Sequence, residues 1–277
     1  RQDLGDSPKE TPRSRNHPKH RRCSVGNNPY IFTSRFDVPT EGKEKFESWC
    51  NSRHLPDLLE VGFQSAQAFR SIQGEPEYLH LLETTEMAIF DREAFGNICI
   101  CDPPCDAPMC LREKDVSRPI GPQMASYFLN SSRAVYEQLV TMHTAEYDTL
   151  FPQQHNDPLG SIRSSFVFTA RMDLDLSMEE AYIRWQIEDI FPELLAIPGF
   201  IAGRLGKRVD NFVADEVHQH VTSEPTYLIM WELNNPGAYS DDNPRLLHLR
   251  QRPEAPRMRT ALRNHKINLH TRIFPSS

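Results

Sequence analysis

YIFTSRFDV, residues 30 to 38, and FVFTARMDL, residues 166 to 174, align without a gap. The same offset of 136 carries Trp49 onto Trp185 and Pro56 onto Pro192, so the register holds through a strand and the helix after it. Further on, EPEYLHLLE at 75–83 matches EPTYLIMWE at 224–232, now at an offset of 149. The difference places an insertion within RVDNFVADEVHQHVTSE, residues 208–224, which reads as a hairpin extension. An internal repeat of this kind constrains the fold more than any single element does.

Each copy follows one order. In YIFTSRFDV the large apolar Tyr30, Phe32 and Phe36 alternate with Thr33, Arg35 and Asp37, the pattern of a half-buried strand. A helix follows, with Phe46, Trp49, Cys50 and Leu58 at helical spacing; in the second copy SMEE, Ser177 to Glu180, reads as its capping box. GFQSAQAFRSI is a second strand, and EYLHLLE, after the turn QGEP, a third. Helical segments near TEMAIFDREAF and DNPRLLHLRQRPEAPRMRTALRNH precede the fourth strands, SRAVYEQLVTM and INLHTRIF. The order βαββαβ is the ferredoxin-like split unit. Its sheet carries helices on one face only, so the other face needs a cover, and two units can cover each other. The expected fold class is α+β: two ferredoxin-like βαββαβ repeats, residues 30–145 and 164–277, packed sheet to sheet as an intramolecular α+β barrel. Residues 146–163 are the linker, and the chain is expected to be a monomer with an internal pseudo-dimer, with further oligomerisation left open.

At 277 residues, 38% hydrophobic and 25% charged, the chain can bury a sizeable core. No apolar run approaches the roughly 18 residues of a membrane-spanning helix, and the N-terminus lacks a secretory signal's charged-then-apolar order. The expectations are a cytoplasmic location and no membrane partner. A net charge of −7 argues against a nucleic-acid partner, because phosphate contacts need clustered Lys and Arg. Residues 1–29 differ: basic, rich in Pro and Ser and poor in apolar residues, they read as a disordered tail. A basic arm touching nucleic acid or an acidic partner is the alternative reading of that tail. Residues 97–119 form a Cys- and Pro-rich insertion, expected to be irregular and exposed. Cys99, Cys101, Cys105 and Cys110 fit metal-ligand spacing only loosely, so reduced thiols are expected there rather than zinc or iron–sulfur.

Around the first helix stands the run W-x4-H-x-P-(D/E)-L-L-x2-G-F, at Trp49, His54, Pro56, Asp57, Leu58, Leu59, Gly62 and Phe63. With the repeated strand and helix order, this resembles the dimeric α+β barrel superfamily and, within it, EthD-like proteins, across nearly all of residues 30–274. The resemblance implies ligands held between helix and sheet. It also implies a choice among cofactor-free monooxygenases, polyketide cyclases and decarboxylases, muconolactone-type isomerases and haem enzymes on duplicated units. No motif singles out one of them.

Pro56 removes its own N–H and crowds the carbonyl of Ser52, which should bend the helix and aim His54 toward the space between helix and sheet. Histidine changes charge near neutral pH, so His54 is the candidate general acid or base for a small aromatic or carbonyl-bearing substrate. The other reading is a helix-end histidine bound to the last carbonyls. The second copy keeps Pro192, Glu193, Leu194 and Leu195 but has Ile190 in place of the histidine, which makes the first copy the candidate catalytic half. Tyr78 and His80 share one face of the third strand; the strand's phase decides whether they meet His54 or lie at the interface. Trp49 reads first as core. Arg35, with Thr33 and Asp37, recurs as Arg171 with Thr169 and Asp173, and reads as a polar network between the sheets before it reads as an anion site.

The candidate site is therefore His54 as catalytic residue, with Tyr78, His80, Trp49 and Arg35 as substrate-binding residues. Neither an organic cofactor nor a metal is expected: nucleotide-binding, zincin and serine-hydrolase motifs are all missing. A haem on His218 or His220 is the alternative that a duplicated barrel leaves open. The expected function is a cofactor-independent lyase, cyclase, isomerase or monooxygenase using a histidine acid/base. A non-catalytic barrel that binds a small molecule or a protein is the other reading.

Overall fold

Ten strands are formed among the residues that this structure, a computed structural model, describes: 21–22, 30–96, 98, 128–151, 161–209 and 222–274. They are β1 (Arg21–Arg22), β2 (Tyr30–Asp37), β3 (Ser65–Gln73), β4 (Tyr78–Thr84), β5 (Leu129–His143), β6 (Phe166–Leu174), β7 (Phe200–Arg208), β8 (Thr222–Ser223), β9 (Tyr227–Leu233) and β10 (Leu262–Phe274). The helices are α1 (Lys43–Trp49), α2 (Leu55–Val61), α3 (Glu93–Gly96), α4 (Ala145–Leu150), α5 (Glu179–Trp185), α6 (Phe191–Leu195), α7 (Pro244–Arg250) and α8 (Glu254–Arg259).

Eight strands run β5-β2-β4-β3-β10-β6-β9-β7, and a further β5–β7 pairing closes the ring. Every pairing in the ring is antiparallel. Two sheets packed only face to face would leave β3 and β7 with rows of unpaired N–H and C=O groups. Instead the sheets join edge to edge. β5 pairs with β2 through Leu129–Glu137 and continues along β7 through Tyr136–His143. β10 likewise pairs with β6 and then, through Leu269–Phe274, with β3. The length of these two strands, 15 and 13 residues, is what lets each serve two neighbours.

Strand alternation divides the side chains between the two sides of this wall. Inside the barrel lie Ile31, Phe69, Leu79, Leu81, Ala134, Tyr136, Val167, Leu228 and Met230. Outside, Phe32, Phe36, Ala68, Tyr78, Leu82 and Val135 pack against Phe46, Trp49, Leu55 and Leu58 of the first helical layer. Phe168, Met172, Tyr227, Ile229 and Trp231 pack against Tyr182, Ile190, Phe191, Leu246 and Met258 of the second. The stretch expected to be linker contains α4, and its Ile162 is buried in the barrel interior. The backbone of Ile162 is held at both ends: its N–H donates to Glu83 Oε2 at 2.9 Å, and its carbonyl accepts from Gln67 Nε2.

The bend expected at Pro56 takes the form of a π turn at Cys50–His54, and a matching turn occurs at Gln186–Ile190 before Pro192. Proline cannot donate to the carbonyl four residues back, so the backbone widens by one residue and Leu55 N–H bonds to the Cys50 carbonyl. Phe191 N–H bonds to the Gln186 carbonyl in the same way. The capping box expected at Ser177 does not form. The Ser177 N–H and hydroxyl both donate to Asp175 Oδ1, at 3.0 and 2.6 Å, and α5 starts at Glu179. With its hydroxyl used as a donor in this local turn, the serine does not cap the helix.

Within the tail expected to lack structure, Arg21 and Arg22 pair with His143 and Met142 of β5. The rest of that tail lies outside the described residues. So do the cluster Cys99–Cys110, nearly all of the 97–119 insertion, residues 210–221 of the hairpin expected within 208–224, and His218 and His220. Among the described residues no helix is long and apolar enough to cross a membrane.

Candidate functional site

The outer face of the first four strands carries one cross-strand row. Ala68 pairs with His80, His80 with Ser34, and Ser34 with Arg133, so these side chains stand side by side under α1 and the π turn. Cys50 and His54, at the two ends of that turn, face the row. Cys50 Sγ lies 3.3 Å from His80 Nε2, and the His54 and His80 ring centroids are 6.1 Å apart. The π turn also brings residues five apart into register, and the His54 ring stacks on Trp49 at 4.6 Å and 17°. Phe36 meets His80 edge-on at 4.9 Å and stacks on Phe128 at 4.3 Å, while Phe46 closes the other side of His80 at 6.0 Å. His80, Ser34 and Cys50 are buried, whereas His54 and Arg133 are half-buried and form the solvent side of the group.

This apolar setting keeps the titratable side chains neutral. Burial, then the positive charge of Arg133, holds His54 down to about 3. His80 lies well below its ordinary value, by burial first and then through His54 and Arg133. Burial, with Glu47 adding to it, pushes the Cys50 thiol up. Cys50 and His80 are thus a neutral thiol beside a neutral imidazole, not the thiolate–imidazolium pair of a cysteine nucleophile. Two polar atoms here, His54 Nδ1 and Trp49 Nε1, are buried without a hydrogen-bond partner among the described residues. A neutral imidazole nitrogen so placed can accept a hydrogen bond or a proton from a bound molecule.

The phase of β4 brings His80 and Tyr78 to the helix side, where His80 meets His54. Tyr78 stands one pair further along, stacked on Phe36 at 5.7 Å, with its hydroxyl donating to Glu47 Oε1 at 2.7 Å. Trp49 is buried and serves as the His54 stacking surface. Arg35 does not join them. One residue from Ser34 along β2, it points into the barrel, on the opposite side of the wall. Sequence reasoning missed Cys50, Ser34 and Arg133 as members of the group. The only signal for Arg133 is its pairing with Ser34, 99 positions away in the chain, which needs the strand register.

The second half has the same backbone arrangement and keeps one polar member of the group, the buried Gln186 at the place of Cys50. Ala170 pairs with Ile229 and Ile267, and Ile229 with Leu205, so the corresponding row is wholly apolar. Ile190 stands at the end of its π turn. Trp231 packs on Phe191 at 4.4 Å, and its ring lies where a side chain at Gly203 would stand, 2.3 Å from an ideal Cβ. Apart from Gln186, the helix–sheet space is therefore filled by hydrocarbon in one half, and it is lined by imidazole, thiol, hydroxyl and guanidinium in the other. Among the described residues no group of three or more His, Cys, Asp or Glu side chains is placed to hold a metal ion.

No family model matches the chain, and no curated protein matches it. Solved structures do. An anthrone oxidase-like protein superposes with a TM-score of 0.50 at 11% identity, over 90% of this chain and 92% of that one. Two others have TM-scores of 0.48: a candidate monooxygenase of Lactobacillus acidophilus at 8% identity, over 88% and 94%, and another of Fusobacterium nucleatum at 11%, over 90% and 94%. At such identities the likeness speaks for the fold alone. The fold is that of the dimeric α+β barrel superfamily.

Proposed function

We propose that this barrel is a small-molecule enzyme working without an organic cofactor, with its site in the first half and His54 as the proton-transferring residue. The carrying observation is the unpartnered, buried Nδ1 of His54, facing His80 and Arg133 in a half whose counterpart has Ile190, Ile229 and Ile267 at those three positions. We read the two halves as a tandem duplication in which one copy, EthD-like in its Trp49–Phe63 run, kept a polar site. The equal spacing of the π turns supports that reading, as does the strand order β5-β2-β4-β3 repeated as β10-β6-β9-β7.

The surroundings suit an aromatic, carbonyl-bearing substrate. Phe36, Phe46 and Tyr78 form an aromatic wall behind Trp49 and His80, Arg133 supplies positive charge, and neutral His54 supplies an acceptor. An anthrone, named in one of the similar structures, is an aromatic ketone of this kind. In the step we propose, the substrate's C–H or O–H proton passes to His54 Nδ1. The enolate or phenolate left behind is stabilised by Arg133. With its pKa near 3 the free imidazole is a weak base, and an anion forming beside it favours the protonated ring and raises that basicity. Tyr78, whose hydroxyl is committed to Glu47, contributes a ring surface and no proton.

The test titrates hydroxylated aromatic ketones into the wild type, His54→Ala and Arg133→Ala, following tryptophan emission and product formation. Binding and turnover should both fall in the two variants, with turnover falling by roughly 10²–10⁴-fold in His54→Ala. Ligands that bind all three proteins equally would remove the site from the first half. Tight binding with no turnover in the wild type would favour a non-catalytic binding barrel, a reading that the weak basicity of His54 also supports.

A further inference from the structure

Inside the barrel, on the other side of the wall from His54, Arg204 is paired with Glu232 and faces Glu83, but two other arginines share one carboxylate. Arg35 and Arg171 occupy equivalent positions on β2 and β6 and are both fully enclosed. One carboxylate serves them. Glu224 takes Arg171 Nη1 on both oxygens, at 2.8 and 3.0 Å, and also accepts from the Ser132 hydroxyl. Arg171 Nη2 is shared between Asn268 Oδ1 at 3.0 Å and the Glu75 carbonyl at 3.5 Å. Arg35 receives only a distant contact, its Nε 3.9 Å from Glu224 Oε2, which is beyond hydrogen-bond reach. Its Nε, Nη1 and Nη2 are all buried without a hydrogen-bond partner among the described residues.

The repeat explains the shortfall. Glu75 is the counterpart of Glu224 in the matched EPEYL and EPTYL segments, yet Glu75 is exposed while Glu224 is buried. Each arginine has a carboxylate at the matched place in sequence, and of those two only Glu224 is buried beside the arginines. Burial and the neighbouring Arg171 bring Arg35 down to about 9, still protonated at neutral pH. His270 is held well below its ordinary value by burial and by the two arginines, so it adds no charge. Around Arg35 and Arg171 one positive charge is therefore left without a paired carboxylate among the described residues, and burying a charge alone is strongly unfavourable.

We propose that the barrel interior beside Arg35 is a binding site for a small monocarboxylate, held by the paired Nη1 and Nη2 donors of that guanidinium. A single negative charge neutralises the site, where a dianion would overcharge it. A carboxylate also matches the planar fork of donors, which a spherical halide cannot. The site is independent of the histidine site: the two lie on opposite faces of the same strands.

The experiment is thermal melting of the full chain as sodium formate replaces sodium sulfate at constant ionic strength. The wild type should gain about 5 °C, saturably, at a hundredfold excess over the dissociation constant. Arg35→Met should show no formate dependence, and His54→Ala should keep it. Should Arg35→Met fail to fold, Arg35→Lys carries the test: its half-effect concentration should rise at least tenfold, because an ammonium is a point charge without the fork. Several outcomes overturn the proposal: no formate dependence in the wild type, an unchanged half-effect in Arg35→Lys, or equal shifts from chloride and formate. A dependence that appears only in Glu75→Gln also overturns it, since Glu75 would then be the group neutralising Arg35.

Discussion

Lowering the pH from 7.5 to 5 should destabilise this protein through histidines alone, before the carboxylates with depressed values begin to titrate. His54, His80 and His270 are all held below the ordinary histidine value in the fold, chiefly by burial. The unfolded chain binds a proton on each below about pH 6.5, and the folded chain does not until far lower, so stability is present above 6.5 and lost as pH falls. Each group then contributes a slope approaching 1.4 kcal/mol per pH unit, and by pH 5 a loss of about 2 kcal/mol. His54 keeps some exposure and belongs at the low end of that figure. Glu83 acts with the opposite sign. Burial raises its pKa in the fold, so the folded state gains a proton there as pH falls and offsets part of the loss. The net expectation is two to three protons, about 4–6 kcal/mol at pH 5, a large share of a typical domain's 5–15 kcal/mol. Urea unfolding at half-unit steps of pH measures it, and His80→Phe or His270→Asn should each remove about one proton from the slope. A stability that stays level from pH 7.5 to 5, or a slope untouched by both substitutions, would refute the argument that these imidazoles are buried and neutral.

Three other substitutions separate scaffold from site. His54→Ala, which truncates a half-buried ring with an unpartnered Nδ1, should cost less than Ile190→Ala, at the equivalent and buried position, which should cost about 2–5 kcal/mol; chemical denaturation of the two variants decides it. Gly203→Ala forces a methyl group against the Trp231 ring and should lower stability by roughly 1–3 kcal/mol. Trp231→Leu in the same chain should recover part of that loss, and a thermal double-mutant cycle checks the coupling. Cys50, buried with its thiol pushed up, should resist a disulfide reagent in the native state and react only on unfolding, as peptide mass spectrometry would show.

Local pattern alone determined a good deal here. The alternation in YIFTSRFDV marks a strand because successive side chains leave opposite faces, and β2 runs from Tyr30 to Asp37. Pro56 and Pro192 mark helix disturbances because a missing N–H is a property of the residue, and both π turns sit where they stand. The contrast of His54 with Ile190 was legible because matched segments can be compared position by position. What only the tertiary structure decided is which side chains face one another. Arg133 meets Ser34 and His80 through strand register, set by pairing between residues 99 and 46 positions apart. Closure of the barrel edge to edge, rather than sheet on sheet, depends on how far β5 and β10 run past their own neighbours. Arg35 and Ser34, adjacent in sequence, end on opposite sides of the wall, one beside Glu224 and the other beside His80. Periodicity tells that two residues part company; only the closed ring of hydrogen bonds determines which of them is enclosed with a charge and which lies under a helix.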